Sequence, residues 1–502
     1  MTSTQTAATQ NPYLEGFLAP VSAEVTATDL EVTGHIPEHL DGRYLRNGPN
    51  PAEEVDPATY HWFTGDGMVH GVALRDGKAG WYRNRWVRSP SVCVTLGEPI
   101  PGRLNPKAGM LSLGANTNVL THAGKTLALV EGGVANYELT DELGTVGPCD
   151  FDGTLPGGYT AHPHRDPATG ELHAVSYSFA RGRTVQYSVI DTAGRARRTV
   201  DIDVSGSPMM HDFSLTDKYV VIYDLPVTFD PVRVLPASVP RWLHLPARLV
   251  MQSLIGRVRM PSPITSVINR DQRHAVGLPY AWNPSYPARI GVMPREGDNN
   301  DVRWFDIEPC YVYHPLNAYS EMRDGAEVLV LDVVRYSRMF DRDRRGPGDT
   351  QPTLDRWTIN LTTGAVSTEC RDDRSQEFPR INETLLGARH RFGYAVGIEG
   401  GFLAAGASDL KTPLYKHDYA TGSSTVAASD PDLLIGEMSF VPNPGAPNAV
   451  EDDGILIGYG YHRGRDEGQL ILMDAQTLES VATVHLPQRV PMGFHGNWAP
   501  AG

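Results

Sequence analysis

Four of the 17 histidines share similar surroundings and could act together. Each has an aromatic residue, a proline or a glycine nearby and lies at the edge of a strand-like run: His162 in GYTAHPHRDP, His211 in PMMHDFSL, His314 in YVYHPLNAY and His495 in MGFHGNWAP. Four neutral imidazoles form a ligand set that suits Fe, Zn, Cu or Ni. Their separations are far longer than helical or finger-like metal motifs allow. Only a closed radial fold, with strands from different units directed at one axis, would bring them together.

His164 competes with His162 for the ligand position in the first motif. Residues two positions apart share one face of a continuous strand, so both side chains could reach the same site. Pro163 stands between them and makes a continuous strand doubtful. The residues alone leave this choice open.

Short runs rich in Val, Ile, Tyr, Trp and Leu predict the strands that would position these histidines. Examples are WYRNRWV from Trp81, LHAVSYSF from Leu172, KYVVIYDL from Lys218 and AEVLVLDVV from Ala326. A turn of the form Asp/Asn-x-x-Thr-Gly recurs at Asp166–Gly170, Asn360–Gly364 and Asp418–Gly422, with a degenerate copy at Asp474–Thr477. In such a turn the polar side chain bonds the backbone two residues on, and glycine supplies the positive φ.

Hairpins along the whole chain, without helical stretches between them, predict antiparallel sheets rather than βαβ units. A closed all-β architecture follows, and a β-propeller suits this length best. We expect a single propeller domain over residues 11–502, preceded by a flexible tail at residues 1–10.

The stretch 231–261 breaks the strand rhythm. From Ala247 apolar residues recur at helical spacing, with Trp242 and several arginines around them. A helical insertion packed on the sheet is the simpler prediction. A helix lying in a membrane surface, giving peripheral membrane contact, is the alternative. Arg257 falls close to the apolar side and counts against it.

Composition excludes several classes of protein. The 502 residues are 40% hydrophobic and 21% charged, which is typical of a globular protein. The formal net charge of −15 argues against nucleic acid as a partner. The four cysteines form no C-x-x-C pair, so neither a zinc ribbon nor a thioredoxin-like motif is present, and a reducing compartment fits best. Without a signal-peptide pattern or a long apolar run, we expect a cytoplasmic protein.

The histidine motifs resemble those of the carotenoid cleavage oxygenase family. The resemblance runs from Asn11 to Trp498 and includes RNGPNP from Arg46, HWFTGDGMVHGV from His61, EGGVANYEL from Glu131, EFPRIN from Glu377, GEMSFVPNP from Gly436 and EDDGILI from Glu451. Within the family the chain is most similar to actinobacterial enzymes that cleave carotenoids and apocarotenoids. The resemblance implies a seven-bladed β-propeller with a non-haem iron on its axis. A dome of loops and short helices would shape a substrate tunnel.

The resemblance also implies roles for individual residues. One Fe²⁺ per subunit would be bound by His162, His211, His314 and His495, since the family places the ligand first in the H-P-H motif. Three glutamates would accept hydrogen bonds from ligand imidazoles, namely Glu131, Glu377 and Glu437. One histidine is then left to another acceptor. Candidate tunnel residues are Trp62, Phe63, Val130, Phe213, Tyr313, Tyr319 and Phe494.

The implied reaction is cleavage of one conjugated carbon–carbon double bond of a lipophilic polyene by O2, giving aldehyde or ketone products. Stilbene-cleaving members of the family instead hold a phenol with a Lys before the first glutamate, together with a Tyr. Val130 occupies that position here and favours an apolar polyene. A retinoid-type isomerase would use the iron without O2. A noncatalytic carotenoid-binding propeller is disfavoured by the complete histidine and glutamate sets. Without the resemblance, a propeller glycosidase with paired carboxylates would compete.

Overall fold

Nearly all regular structure in the computed structural model is β-strand. It describes residues 11–103, 105–111, 114–230, 278–342, 350–399, 410–428, 430–444 and 450–501. The predicted tail at 1–10 and the predicted helical insertion at 231–261 lie outside these residues. One α-helix, α1 (Pro90–Leu96), begins at the Ser89 cap and ends at Gly97, whose φ is +68°. Short 3₁₀ helices cover Pro12–Leu14, Gly16–Leu18, Trp62–Thr64, Pro106–Ala108, Phe179–Arg181, Asn299–Asp301, Glu383–Leu385 and Arg463–Arg465.

The strands that these residues form are, in chain order, β1 (Thr26–Ala27), β2 (Val32–Gly34), β3 (Gly42–Pro49), β4 (Gly67–Arg75), β5 (Lys78–Trp86), β6 (Asn118–His122), β7 (Lys125–Leu129), β8 (Asn136–Leu139), β9 (Thr145–Cys149), β10 (His164–Arg165), β11 (Leu172–Ser176), β12 (Thr184–Ile190), β13 (Ala196–Asp203), β14 (Ser214–Leu215), β15 (Tyr219–Asp224), β16 (Val227–Phe229), β17 (Tyr280–Trp282), β18 (Arg289–Pro294), β19 (Arg303–Asp306), β20 (Tyr311–Arg323), β21 (Ala326–Tyr336), β22 (Thr353–Asn360), β23 (Val366–Asp372), β24 (Gln376–Arg380), β25 (Phe392–Gly397), β26 (Leu414–Asp418), β27 (Ser423–Val426), β28 (Leu433–Ile435), β29 (Ser439–Pro442), β30 (Gly454–His462), β31 (Glu467–Asp474), β32 (Ser480–His485) and β33 (Gly496–Pro500). All four runs predicted as strands lie in this set.

Seven antiparallel sheets form the blades of a β-propeller, which confirms the predicted fold class. Numbered along the chain, blade 1 is β6–β9, blade 2 is β10–β13, and blade 3 is β14, β15, β18 and β19. Blade 4 is β20–β23 and blade 5 is β24–β27. Blade 6 combines β28–β32 with β2, and blade 7 combines β33 with β3, β4, β5 and β1. Between β15 and β18 of blade 3 in the chain, β16 and β17 form a separate two-stranded antiparallel sheet.

Strands from both ends of the chain close the ring. Near the N-terminus, β2 pairs with β32, so that Thr33 lies opposite Thr483. At the C-terminus, β33 pairs with β3, so that Leu45 lies opposite Asn497. Blades 6 and 7 therefore each contain strands from both ends, and opening the ring there would break their ladder hydrogen bonds.

The recurrent turns adopt the predicted geometry. In the first, Asp166 Oδ1 accepts a hydrogen bond from the Ala168 backbone N–H at 3.1 Å, and Gly170 has a φ of +74°. The same side-chain contact occurs in the turns that begin at Asn360, Asp418 and Asp474. In the degenerate copy Leu478 takes the positive φ that glycine takes elsewhere. These turns connect β10 to β11, β22 to β23, β26 to β27 and β31 to β32.

The hydrophobic core lies between the blades. Its largest cluster joins blades 2, 3 and 4 through fully buried side chains that include Tyr187, Ile222, Leu331 and Trp357. Burying one such large apolar side chain contributes about 1.5–3 kcal/mol. This packing fixes the backbone positions from which polar side chains reach the axis. No helix in the described segments is long and apolar enough to cross a membrane.

Candidate metal centre

Four histidines from four blades meet at the centre of the ring. His162 precedes β10 of blade 2, His211 precedes β14 of blade 3, His314 lies within β20 of blade 4, and His495 directly precedes β33 of blade 7. One ring nitrogen from each lies within 4.8 Å of those of the others, and all four side chains are buried. The structure therefore brings together the four histidines that the sequence singled out.

Irregular strand pairing helps to direct side chains to this centre. The pairing of β20 with β21 shifts around His314, and the pairing of β24 with β25 shifts between Glu377 and Arg380. A β-bulge changes the direction in which a strand side chain points. Within the second irregularity, Phe378 has a φ of +52°, a left-handed conformation that is uncommon for a residue other than glycine. Its ring lies beside His314, with centroids 5.8 Å apart.

Three of the histidines contact glutamates through Nδ1. The distances are 2.9 Å from His211 to Glu131, 2.6 Å from His314 to Glu377 and 2.9 Å from His495 to Glu437. The glutamates come from blades 1, 5 and 6, none of which supplies a histidine. A carboxylate at Nδ1 fixes the tautomer and orientation of an imidazole and raises its basicity as a ligand.

These Nδ1 contacts determine what the Nε2 atoms can bind. A neutral imidazole that donates its Nδ1 proton has a lone pair on Nε2. The Nε2 atoms of His211 and His314 lie 3.2 Å apart, so two lone pairs face each other. The Nε2 atom of His162 is buried and has no hydrogen-bond partner among the described residues. A divalent cation would satisfy all of these lone pairs, so the residues fit a metal ion.

Burial and neighbouring charges set the protonation of the centre. Burial lowers the pKa of His162 well below its usual value, and the neighbouring histidines lower it further. Burial also acts to lower the pKa of His314, but Glu377 outweighs it and the net shift is upward. Burial acts to raise the pKa of Glu437, yet the Arg380 guanidinium and other partners lower it to about 2. His162 is thus held neutral and Glu437 ionised, the forms that suit metal binding.

Glu377 is held by more than the histidine that it orients. Its Oε1 accepts a hydrogen bond from the Tyr336 hydroxyl at 3.0 Å, and its Oε2 accepts one from the Phe378 backbone N–H at 2.6 Å. Sequence reasoning missed both residues. Tyr336 ends β21 and resembles any strand tyrosine. Phe378 directly follows Glu377 in EFPRIN, so the sequence predicts that the two residues are close. It does not predict the left-handed backbone conformation of Phe378.

His164 lies outside the cluster. Its Nε2 atom is 2.9 Å from Asp212 Oδ1, and its ring packs edge-on against Phe213 at 4.7 Å. His162 Nδ1 is 3.8 Å from Asp212 Oδ2, too far for a hydrogen bond. His162 is therefore the member of the pair that meets the other three histidines, and it differs from them in having no glutamate at Nδ1 within the described part of the chain.

An apolar cavity of about 160 Å³ borders the cluster on one side and is in contact with His211, His314 and His495. Five of the predicted tunnel residues line it: Trp62, Phe63, Val130, Tyr313 and Phe494. Several of these rings contact one another, as Trp62 and Phe494 do with centroids 4.6 Å apart. The cavity also includes Tyr177 and Tyr280, which the sequence did not single out.

Phe213 and Tyr319 do not line this cavity, and their place along a substrate tunnel stays a prediction. Phe213 is fully buried against His164, on the side of the cluster where Asp212 lies. Tyr319 follows His314 along β20 after the irregular pairing has ended, and its ring contacts His390 at 6.1 Å. A place in a motif near a histidine does not determine on which side of the strand an aromatic ring falls.

Comparisons with known proteins agree with this geometry. The family model described as retinal pigment epithelial membrane protein matches residues 18–500. The carotenoid cleavage oxygenase of Mycobacterium tuberculosis is 79% identical over 501 residues, with 100% of each chain covered. The crystal structure of Pseudomonas brassicacearum lignostilbene dioxygenase has a TM-score of 0.78 at 25% identity, covering 99% of this chain and 100% of that one. Cobalt-substituted Synechocystis ACO has a TM-score of 0.76 at 25% identity, covering 98% of both chains.

The family model matches almost the whole chain, and the Mycobacterium tuberculosis relative is 79% identical over its full length. Both matches cover all seven blades of the described propeller. The four-histidine centre and the seven blades are the features that the sequence motifs anticipated. This chain is an enzyme that belongs to the carotenoid cleavage oxygenase family.

Proposed function

We propose that this enzyme is an Fe(II)-dependent dioxygenase. It cleaves one conjugated carbon–carbon double bond of a carotenoid or apocarotenoid with O2 and gives two aldehyde or ketone products. The observation that carries the proposal is the convergence of ring nitrogens from four buried imidazoles beside an aromatic-lined cavity. Iron, when bound, supplies the one-electron chemistry with O2 that amino-acid side chains lack.

The protein residues have two tasks in this proposal. His162, His211, His314 and His495 bind the metal without adding negative charge, and the three glutamates keep three of those rings in the binding orientation. The apolar cavity receives the part of the polyene next to the metal and excludes water there, which places one double bond beside the metal. Apolar surface buried there contributes about 25 cal/mol per Å² to substrate binding.

Two comparisons support the choice of metal and substrate. The relative with 79% identity is named a carotenoid cleavage oxygenase, which supports a carotenoid substrate. The ACO structure is described as cobalt-substituted, which supports a divalent transition metal at a centre of this kind. Iron is one of the metals in that group that carry out oxygen chemistry, and the family to which the chain belongs favours it over copper.

A phenolic stilbene is the second candidate substrate. The structural similarity to a lignostilbene dioxygenase and the tyrosines Tyr177 and Tyr280 on the cavity wall favour it. Val130 argues against it, because it lines the cavity directly before Glu131 and offers no hydrogen bond. A buried phenolic hydroxyl left unpaired there would cost about 1–3 kcal/mol. We therefore expect a higher kcat/KM for an apocarotenoid than for resveratrol under identical detergent conditions. The reverse order would assign the enzyme to phenolic substrates.

The main test uses enzyme reconstituted with Fe²⁺ without oxygen, offered a panel of polyenes and then ¹⁸O2, with products identified by mass spectrometry. We expect cleavage products that carry ¹⁸O. The His162→Ala variant should lose both metal and activity, whereas the matched His164→Ala variant should keep both. Isomerised substrate without oxygen uptake would instead identify a non-oxidative isomerase. An inactive, metal-free His164→Ala variant beside an active His162→Ala variant would reverse the ligand assignment.

We also propose a cytoplasmic location with reversible membrane contact through residues 231–261, because a polyene substrate partitions into lipid. The sequence pattern alone supports this, with apolar positions at helical spacing near Trp242. Flotation with liposomes should decrease when Val250, Leu254 and Val258 are made polar. Failure of the unmodified protein to float would refute membrane contact and leave the proposed chemistry intact.

A further inference from the structure

Two cavities of different character meet at the four histidines. The apolar cavity contacts His211, His314 and His495. On another side of the cluster, a larger cavity of about 930 Å³ contacts His162, His314 and His495. We call this larger cavity the polar shaft, since ionic and amide side chains line much of it, including Arg43, Lys125, Arg165, Asp212, Glu383 and Asn497.

We propose that the polar shaft is the route by which the metal ion reaches and leaves the four histidines, separate from the apolar cavity that takes the substrate. This inference rests on the proposed function, because it requires that the histidines bind a metal.

The two cavities differ in what they offer a hydrated cation. An ion that crosses the apolar cavity must give up water among Trp62, Phe63 and Phe494, which cannot replace it, and such desolvation of an ion is strongly unfavourable. The polar shaft presents carboxylate and amide oxygens, the groups that can replace water around a divalent ion. Asp212 lies at its inner end, 3.8 Å from His162 Nδ1.

The histidines themselves divide between the cavities. His162 lines only the polar shaft, His211 lines only the apolar cavity, and His314 and His495 line both. Both cavities therefore border the space between the four histidines. A metal ion that arrives along the shaft meets His162, the histidine without a glutamate at Nδ1, on the shaft wall.

Glu383 marks a position where the shaft can be blocked. Its Oε1 is 3.2 Å from Arg380 Nη2 on blade 5. It lines the shaft together with His164 and Arg165 of blade 2. Blades 5 and 2, which are not neighbours in the ring, thus both contribute to the wall of the shaft. The Glu383 side chain is more than half exposed, at 54%, so it can accept a bulky group without repacking the core.

Blocking the route of the metal ion changes its binding kinetics differently from replacing a residue that binds the metal. Obstructing the path changes neither the free state nor the bound state, so uptake and release slow by the same factor and Kd stays constant. A change at a metal ligand or at a residue that orients one alters the bound state and therefore changes Kd. Measuring both rates separates the two effects without any assay of catalysis.

The test uses the Glu383→Cys change in a Cys370→Ser background, labelled with a bulky methanethiosulfonate reagent that a phosphine reductant removes. The remaining cysteines, Cys93, Cys149 and Cys310, are buried. Co²⁺ uptake by the metal-free protein is followed by visible absorption, and its release by transfer to excess chelator. The matched control is the unmodified chain labelled at its native Cys370, which is exposed on β23 and does not line the shaft.

We expect the label at position 383 to slow uptake and release about tenfold or more, with Kd unchanged and with both rates restored by reductant. The label at Cys370 should change neither rate. Restoration by reductant shows that the variant is folded. Equal rates with and without the label, a label-dependent change in Kd, or slowing instead by a long-chain detergent that fills the apolar cavity would each overturn the inference. Absence of Co²⁺ binding in every form would overturn the proposed function itself.

Discussion

Replacing Glu377 by glutamine tests whether a buried carboxylate that does not touch the metal still controls its affinity. Glu377 is fully buried and receives hydrogen bonds from His314 Nδ1, the Phe378 backbone N–H and the Tyr336 hydroxyl. Glutamine has nearly the same shape. The change therefore removes the charge and leaves the packing in place.

The size of the effect follows from these contacts. The carbonyl oxygen of glutamine can take the place of Oε2 and still accept from His314 and Phe378. Its amide can then donate to the Tyr336 hydroxyl oxygen, but the Tyr336 proton loses its acceptor, which is a cost to folding and not to metal binding. Hydrogen bonds to charged groups contribute about 1.5–3 kcal/mol and neutral ones about 0.5–1.5. The bond from His314 is the one that bears on the metal, because its acceptor sets the basicity of the ring as a ligand, and loss of such an acceptor typically costs about 10 to 100-fold in metal affinity. A rise in Kd of about thirtyfold, in the middle of that range, corresponds to about 2 kcal/mol, since about 1.4 kcal/mol is tenfold.

Competition with a chelator of known affinity measures this change directly on the folded protein. The matched control is Glu451→Gln, since Glu451 also accepts backbone hydrogen bonds, from Arg391 and Phe392 at 2.7–2.8 Å, but makes no contact with the histidines. Glu377→Gln should bind metal about thirtyfold more weakly, within the usual range of about 10 to 100-fold for such positions, and Glu451→Gln should match the unmodified chain. Equal affinities for Glu377→Gln and the unmodified protein would refute the reasoning, as would spectroscopy that places a carboxylate on the metal.

Three further predictions concern residues around the same centre. Tyr336→Phe should lower the free energy of unfolding by about 1–3 kcal/mol in urea titrations, because Glu377 Oε1 loses its donor while still charged; an unchanged midpoint would contradict this. The pKa of Glu437 is lowered from 4.5 to about 2, so its stabilising contribution is complete above pH 4.5 and is lost as the pH falls toward 2. The metal-free Glu437→Gln variant should therefore lose less stability than the unmodified chain between these pH values, and parallel pH profiles would count against it. Val130→Lys should lower kcat/KM for polyenes and raise it for 4-hydroxystilbenes, and no shift in the ratio would show that this position does not select substrate.

The sequence predicted the fold class because its signals are local. Each Asp/Asn-x-x-Thr-Gly pattern predicts a hairpin turn from five consecutive residues. The side chains of Asp166 and Asp418 make the contacts that the pattern predicts. The number of blades is a property of how the hairpins are grouped and closed, which no local pattern encodes. It came from the resemblance. The pairing of β2 with β32 joins residues from opposite ends of the chain and leaves no signal in either segment.

The four histidines lie in motifs that the sequence singled out and the resemblance assigned as metal ligands, whereas the residues that hold their partners left no such signal. His162, His211, His314 and His495 lie in distinctive motifs, whereas Tyr336 acts through a hydroxyl on an ordinary strand. Phe213 and Tyr319 also lie in motifs, yet their rings contact His164 and His390 and do not line the apolar cavity. Which side of a strand a residue takes depends on pairing register, and β20 changes register next to His314.

The spacing of the seven key residues reflects the geometry of the ring. Glu131, His162, His211, His314, Glu377, Glu437 and His495 follow one another along the chain, and blades 1 to 7 contribute one each, in that order. Each histidine–glutamate contact therefore links two different blades, and a metal ion bound by the four histidines would link the rest. Because His495 and Glu437 belong to the blades that close the ring, a metal ion bound there would stabilise the same arrangement as ring closure. A separation that looks arbitrary in the sequence is thus the length of chain needed to build the blades between one axial position and the next.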